Sequence, residues 1–224
     1  MAAVDLERAR FNMIEQQIRP WDVSDARVLA ILSDIPREKF VPEPYPALAF
    51  ADTEIPLGLG EQMMEPKLEA KLLQALDLNP QDRVLEIGTG SGFLTACLAK
   101  LAGRVTTLEI HQQFTEQAAA NLERQQISNV EFISGDFFSS ETSEKLPSRG
   151  YTAIAFTGSL SELPEDISRL LDDGGRIFAI LGDKPIMRAT LITKSNDGTL
   201  KHKVLFDTLI QPLHQEKHAD TFEF

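Results

Sequence analysis

The chain has 224 residues, 42% of them hydrophobic and 25% charged, with a formal net charge of −12 and a pI near 4.8. That balance fits one globular α/β unit, and its negative surface repels phosphate backbones and anionic lipids, so neither nucleic acid nor a membrane is expected as a partner. A single cysteine, Cys97, excludes an internal disulfide, and the charged N-terminus MAAVDLERARFNMIEQQ lacks the apolar centre of a secretory signal, so a reducing, cytoplasmic setting is expected.

Up to about residue 78 the sequence reads as helix and loop. Leu6 to Ile18 is rich in helix formers. Asp25 is placed to cap a second helix through RVLAILSDI, which stops before Pro36. The stretch FVPEPYPALAFADTEIPLGLGEQMMEP carries five prolines and two glycines, so it reads as an irregular segment long enough to be a functional loop. Asp52 within it is expected to orient that loop or cap a turn. Pro66 suits the first turn of a helix over KLEAKLLQALDL, whose leucines recur at helical spacing.

From residue 83 strands and helices alternate. RVLEI, RVTTLEI, NVEFIS, YTAIAF and RIFAIL read as strands. SGFLTACLAKLA, HQQFTEQAAANLERQQ and EDISRLLDD read as helices, the last closed by Gly174-Gly175. Cys97 falls in an apolar helix, where a buried thiol is expected. RATLITKSNDGTLKHKVLFDTLI reads as two strands joined at Asn196-Asp197-Gly198. The expected fold is a Rossmann-like α/β domain over 79–224: a doubly wound, mostly parallel seven-stranded sheet with an antiparallel C-terminal hairpin. Residues 1–78 would form a helical extension that lids the site. In such sheets ligands bind beyond the carboxyl ends of the strands.

The first strand end carries Gly88-Thr89-Gly90-Ser91-Gly92. A dinucleotide fingerprint counted from Gly88 would put its last glycine where Phe93 stands, and no Lys-Ser/Thr pair follows for a nucleotide P-loop. Carboxylates mark three successive strand ends: Glu86, Glu109 and Asp136. Glu109 is placed to accept both ribose hydroxyls, Asp136 to accept an adenine amine, and Glu86 to face an ammonium or its water. S-adenosylmethionine combines an amino-acid end, a sulfonium and an adenosine without phosphate. Ser91, Ile110, Phe137, Thr157 and Gly158, each beside a motif residue or at a strand end, are expected to border the same ligand. An NAD-dependent oxidoreductase stays open through Glu109 alone. His214 and His218 are spaced i, i+4 in HQEKH, but Gln215 stands where a zinc-protease motif needs Glu, so no metal site is expected.

VLEIGTGSGF, the acid of TTLEI and NVEFISGDF resemble the first motifs of Rossmann-like S-adenosylmethionine-dependent methyltransferases. QIRPWDVSDARVLAIL, IPREKFVP, ALAFADTEIPLGLGEQ, EPKLEAKLLQAL and LDDGGRIFAILG narrow the resemblance to the protein-L-isoaspartate O-methyltransferase family, from about residue 13 to residue 182. The resemblance implies methyl esterification of isoaspartyl side chains in damaged proteins or peptides, with S-adenosylhomocysteine as product.

The chain departs from that family at its substrate loop. Where the family usually reads Q-T-I-S-x-P, this sequence has Glu61-Gln62-Met63-Met64-Glu65-Pro66. Gln62 replaces the threonine and Met64 the serine beside the acceptor, while Thr152 stands where an aspartate is common. Methionine donates no hydrogen bond, so Gln62 or backbone N–H groups would have to hold the acceptor. Met63 is expected to pack in the core, and Met64 to pack or to touch cofactor or acceptor. A more apolar, small-molecule acceptor and a cofactor-binding protein without turnover are the competing readings.

Overall fold

The structure is a computed structural model and describes residues 3–147 and 150–214. Helix α1 (Ala3–Met13) runs on through a π-turn (Ile14–Ile18) and a 3-10 turn (Arg19–Trp21), so the expected N-terminal helix forms but widens over its last turns. Met13, Ile14 and Ile18 are buried there. Helix α2 (Ala26–Asp34) is capped as expected: the Asp25 carboxylate accepts the Arg27 N–H at 2.8 Å.

The proline-rich stretch is more ordered than its composition implies. It contains the hairpin β1 (Ile55–Gly58) and β2 (Glu61–Met63). Its turn holds Gly58, Leu59 and Gly60 at φ of 102°, 54° and 87°. Pro56 and the glycines break the alternation that would announce strands. Asp52 reaches Lys67 at 2.9 Å, tying the loop to helix α3 (Pro66–Leu76), which starts on Pro66 as expected.

The remaining elements are β3 (Arg83–Ile87), α4 (Phe93–Leu101), β4 (Arg104–Glu109), α5 (Gln112–Arg124), β5 (Val130–Ser134), α6 (Ser140–Lys145), β6 (Tyr151–Leu160), α7 (Ile167–Leu170), β7 (Leu171–Leu181), β8 (Met187–Lys194) and β9 (Leu200–Thr208). One seven-stranded sheet has the order β5-β4-β3-β6-β7-β8-β9. Strands β3 to β7 pair in parallel, and β8 is antiparallel to both neighbours. The expected fold class is therefore the one observed. Strand order reverses between β3 and β6, so the connections leaving those two strands diverge and open a crevice. Gly198, at φ 84°, turns the expected C-terminal hairpin.

Three local expectations are corrected. Helix α6, capped by the Ser139 hydroxyl, was not anticipated. Helix α7 has only four residues, and Gly174-Gly175 lie inside β7 rather than at a helix end. Leu171 already pairs with Tyr151, and the Lys194 ammonium takes the Ser168 and Leu171 carbonyls at 2.9 and 2.8 Å. Strand β6 continues to Leu160, past the expected end at Phe156. Between the pairs Ala155↔Phe178 and Ser159↔Ile180 it advances four residues against two on β7, and that bulge carries Thr157 and Gly158.

A continuous core runs from Met13 to Ile210, joining the first 78 residues to α4 and one sheet face. The N-terminal part is thus packed into the sheet domain rather than appended to it. Cys97 is wholly buried, and burial pushes its thiol well up. The joint is made by Arg37, also wholly buried. Its guanidinium pairs with Glu69 of α3, donates to the Met64 carbonyl at 2.7 Å, and lies 4.7 Å from the centroid of the Phe93 ring. Burial pushes the Glu69 carboxyl up to about 7, with Arg37 pulling the other way. Phe93, where a dinucleotide-binding turn would need glycine, is therefore the ring on which this cation rests. Among the described residues no helix is long and apolar enough to cross a membrane.

Two predictions follow from these buried charges. Glu69→Ala leaves Arg37 without its counter-charge and is expected to cost about 3–5 kcal/mol in urea unfolding. The double change Arg37→Met with Glu69→Leu is expected to cost less than that single change, and the reverse order would contradict the assignment. The second concerns Glu86, the penultimate residue of β3. Burial pushes its carboxyl from 4.5 up to about 8, against hydrogen bonds from Thr107 and Thr95. Between those values the folded state holds more protons than the unfolded state, so this group erodes stability as pH rises and its full cost applies above 8. Glu86→Gln should flatten the pH dependence of unfolding between pH 5 and 8 by up to about 1.4 kcal/mol per pH unit. Parallel curves would contradict it.

Candidate cofactor and acceptor site

The crevice is a cavity roofed by the β1–β2 hairpin. Its floor is the backbone of Gly88 to Ser91, and Glu109, Ile110 and Phe114 form one wall. Gly135, Phe137 and Phe138 close the end beyond β5, and Thr157 and Gly158 the side beyond β6. The bare floor is a steric necessity. Gly88 has φ 96°, and a Cβ there would collide with the Thr157 hydroxyl, which donates to the Ile87 and Gly88 carbonyls at 2.9 Å each. At Gly92 (φ 82°) a Cβ would press on Ala118, so this glycine lets α4 and α5 pack closely.

Four glutamates line the cavity, Glu54, Glu61, Glu69 and Glu109, and no lysine or arginine does among the described residues. Burial raises the Glu54 carboxyl, with Glu65 adding to the rise and Lys184 opposing it. Glu69 is neutralised by Arg37, so it is Glu54, Glu61 and Glu109 that make this lining repel a phosphate and attract a cation. The Glu109 oxygens accept one backbone N–H each, from Gly90 at 2.9 Å and His111 at 3.0 Å. The carboxylate is thereby fixed in orientation, and each oxygen keeps a lone pair for a ligand hydroxyl.

The other acids lie outside the lining. Glu86 is the penultimate residue of β3, next to the expected strand end, but is buried behind the glycine loop. One oxygen accepts from Thr95 at 2.5 Å and Thr107 at 2.7 Å, and the other has no hydrogen-bond partner among the described residues. Its link to the floor runs through Thr107 to Thr89, whose hydroxyls lie 2.6 Å apart. Asp136 also stands at its strand end, yet its carboxylate turns back to accept the Phe138 N–H at 2.8 Å. Its neighbours Gly135 and Phe137, rather than its own side chain, reach the cavity. The two expected direct contacts are thus replaced by a hydroxyl chain and a loop-shaping bond. Phe137 meets Phe138 and Phe156 edge-on, so it is fixed in core packing while its side faces the cavity.

The remaining lining is formed by Gln62, Met63 and Met64, with Leu57 and the segment Ile210 to His214, and this is the candidate acceptor end. Met63 and Met64 are both buried, so Met64 packs and lines the cavity at once. The C-terminal segment is held by β6: Ser159 donates to the Gln211 carbonyl at 2.9 Å and accepts from Leu213 at 3.0 Å. At the mouth the His111 ring stands 3.5 Å from Glu61 and its centroid 5.8 Å from that of His214. His218 lies outside the described residues, and among those described no group of three His, Cys, Asp or Glu is arranged to hold a metal. Thr152 donates to Asp82 at 2.6 Å, far from this end.

Sequence reasoning brought together Gln62, Met64, Gly88, Thr89, Gly90, Ser91, Glu109, Ile110, Phe137 and Thr157, all of which line the cavity. It missed Arg37 and Glu69, although both sit in the quoted pieces IPREKFVP and EPKLEAKLLQAL. A buried ion pair leaves no periodic signal. It also missed Leu57, Phe114 and Ile210 to Leu213, which look like ordinary apolar or loop residues in one dimension, and it weighed His214 only as a metal ligand.

A fixed carboxylate with spare lone pairs, a bare backbone floor, apolar side walls and no basic lining suit a cationic adenosine derivative without phosphate. Comparisons agree. The family model described as "Protein-L-isoaspartate(D-aspartate) O-methyltransferase (PCMT)" matches residues 8–218. A protein-L-isoaspartate O-methyltransferase of Herpetosiphon aurantiacus is 36% identical over 178 residues, 79% of this chain and 77% of its own. Protein-L-isoaspartate O-methyltransferase 1 of Rhodopseudomonas palustris is 35% identical over 212 residues, 94% of this chain and 85% of its own. A crystal structure from Plasmodium falciparum assigned to the same family, in complex with S-adenosyl-L-homocysteine, aligns with a TM-score of 0.78 at 24% identity, covering 93% of this chain and 98% of that one, a likeness of fold. The chain belongs to the protein-L-isoaspartate O-methyltransferase family and is an S-adenosylmethionine-dependent methyltransferase.

Proposed function

We propose that this chain methylates the free α-carboxylate of L-isoaspartyl residues in altered polypeptides. The observation that carries the reading is a cavity in a chain of this family whose Gly88 to Ser91 turn and Glu109 suit the methyl donor and whose roof is the loop Glu61 to Met64. When bound, S-adenosylmethionine supplies an electrophilic methyl on sulfur; the acceptor oxygen forms the new C–O bond as the C–S pair returns to sulfur. Glu109 holds the ribose hydroxyls. The Gly88–Ser91 backbone receives the amino-acid end, with Glu86 bracing it from behind through the Thr107 and Thr89 hydroxyls. Ile110, Phe114 and Phe137 flank the adenine, and Asp136 sets the loop that presents Phe137. Thr157 fixes the floor from below. The first 78 residues act as the lid, through β1–β2. The single cysteine and acidic surface suit a cytoplasmic setting.

The acceptor is ionised near neutral pH, so the protein must desolvate and align it rather than deprotonate it. Gln62 and Gln211 both bring an amide N–H to this end, Gln62 from the loop itself, and Arg37 keeps that loop in place by its bond to the Met64 carbonyl. The thioether of Met64 favours a second reading, a more apolar acceptor, because it lines the acceptor end without a donor.

Labelled methyl transfer to an isoaspartyl peptide, beside its aspartyl twin, tests the proposal: only the isoaspartyl form should accept. Met64→Ser restores a donor at the loop and is expected to raise kcat on that peptide about tenfold or more, the worth of one hydrogen bond to a charged acceptor. Gln62→Ala should lower it by a similar factor, about tenfold. No response to either change would favour the apolar acceptor. Glu109→Gln keeps its size but turns one acceptor into a donor, and should weaken S-adenosylhomocysteine about tenfold by calorimetry. Unchanged affinity would remove Glu109 from the ribose.

A further inference from the structure

Beside the cavity lies a second groove with no part in the chemistry above. It is lined by Trp21, Lys67, Lys71, Ile186, Phe206 and Leu209. Three of these apolar side chains face solvent: Trp21 is 47% exposed, Ile186 61% and Leu209 58%. The groove and the acceptor end share a wall. Glu65 in the groove follows Met64 in the cavity, and Leu209 in the groove precedes Ile210 in the cavity. A chain with one side chain in the cavity therefore has this groove directly alongside.

Two acids, Glu65 and Asp207, line the groove beside its two lysines, but Glu65 is taken up by Lys67 at 3.1 Å and Asp207 faces Arg188 at 3.7 Å. Lys67 lies 4.9 Å from the Trp21 ring centroid and is already paired, with Asp52 at 2.9 Å and Glu65 at 3.1 Å. Lys71 differs. Its ammonium sits 3.8 Å from the Phe206 centroid and 5.3 Å from that of Trp21, with no carboxylate at ion-pair distance among the described residues. Burial lowers its pKa, with Asp22 and Lys67 acting on it in opposite senses. A partly desolvated, unpaired cation on an aromatic floor gains most from an anion that arrives with apolar neighbours.

We infer that this groove docks the polypeptide flanking the isoaspartyl residue and prefers segments with an aromatic or aliphatic side chain and a carboxylate. The occupant is the substrate chain itself, because the groove is continuous with the acceptor end and its unpaired Lys71 complements an acidic segment. The inference rests on the isoaspartyl reading for its substrate, but its test does not depend on turnover. Trp21 is the chain's one tryptophan, so its fluorescence reports groove occupancy directly.

Three acceptors separate the outcomes: an isoaspartyl heptapeptide flanked by phenylalanine and glutamate, the same peptide with lysine for glutamate, and an isoaspartyl residue blocked as its N-acetyl N-methylamide. Lys71→Glu should raise KM for the glutamate-flanked peptide by about fivefold or more and lower it for the lysine-flanked one, with kcat held within about twofold. KM for the blocked residue should not move. Trp21→Ala should raise KM for both peptides and spare the blocked residue. A KM change under about twofold for both peptides, or an equal change for the blocked residue, would overturn the inference. If the wild-type protein methylates none of them, the acceptor reading fails, and titration of Trp21 fluorescence with S-adenosylhomocysteine present decides the groove. Saturation by the glutamate-flanked peptide, weakened about fivefold by Lys71→Glu, upholds it. No saturable change, or a Trp21 signal that follows protein concentration as a second copy covers the groove, sinks it.

Discussion

The guanidinium of Arg37 joins the roof of the cavity and α3 to the start of α4, just past the glycine turn. It is wholly buried, and its partners come from three places in the chain: the Glu69 carboxylate on α3, the Met64 carbonyl on the roof, and the face of Phe93 at the start of α4. A buried cation cannot give up such partners cheaply. The pair therefore holds the acceptor loop in register with the glycine turn. Replacement of the family's loop residues by Gln62 and Met64 can thus alter what the roof offers without altering where it sits.

Below that roof the site works by electrostatic selection. Glutamates line the cavity and basic residues stay outside it, so a phosphate-bearing cofactor meets repulsion while a sulfonium is attracted. Glu109 supplies the directional part, since two backbone N–H groups fix its oxygens before any ligand arrives. Glu86 sits behind the floor, where burial holds its proton affinity high, so near neutral pH it acts through its hydrogen bonds to Thr95 and Thr107 rather than as a charge. The acidic mouth sets a problem for an anionic acceptor, which must pass Glu54 and Glu61. Lys71, with no carboxylate at ion-pair distance among the described residues, lies in the groove beside the acceptor end and is the cation we infer to offset that acidity.

Much of this was legible in the sequence because it rests on local rules. Alternating strands and helices gave the sheet, Asn196-Asp197-Gly198 gave its hairpin, and glycines followed by Phe93 separated this turn from a dinucleotide site. The position of Glu109 at a strand end was enough to place it in the wall. Legibility ended where side-chain direction or distant packing decides. Glu86 and Asp136 stand by the expected strand ends, yet one points behind the loop and the other back onto its own turn. The hairpin β1–β2 was hidden by Pro56 and its glycines. The β6 bulge at Thr157 exists only through its register with β7, and Arg37 meets Glu69 across 32 residues. No period or motif marks such a meeting.

The central claim is that the cavity is built for a phosphate-free, cationic adenosine derivative. Calorimetric titration of the full chain with S-adenosylmethionine and its demethylated product, beside NADH and ATP, tests it most directly. The account predicts one saturable site for each sulfur nucleoside and no measurable heat for either phosphate compound. Binding of NADH or ATP with no response to the sulfur nucleosides would contradict it.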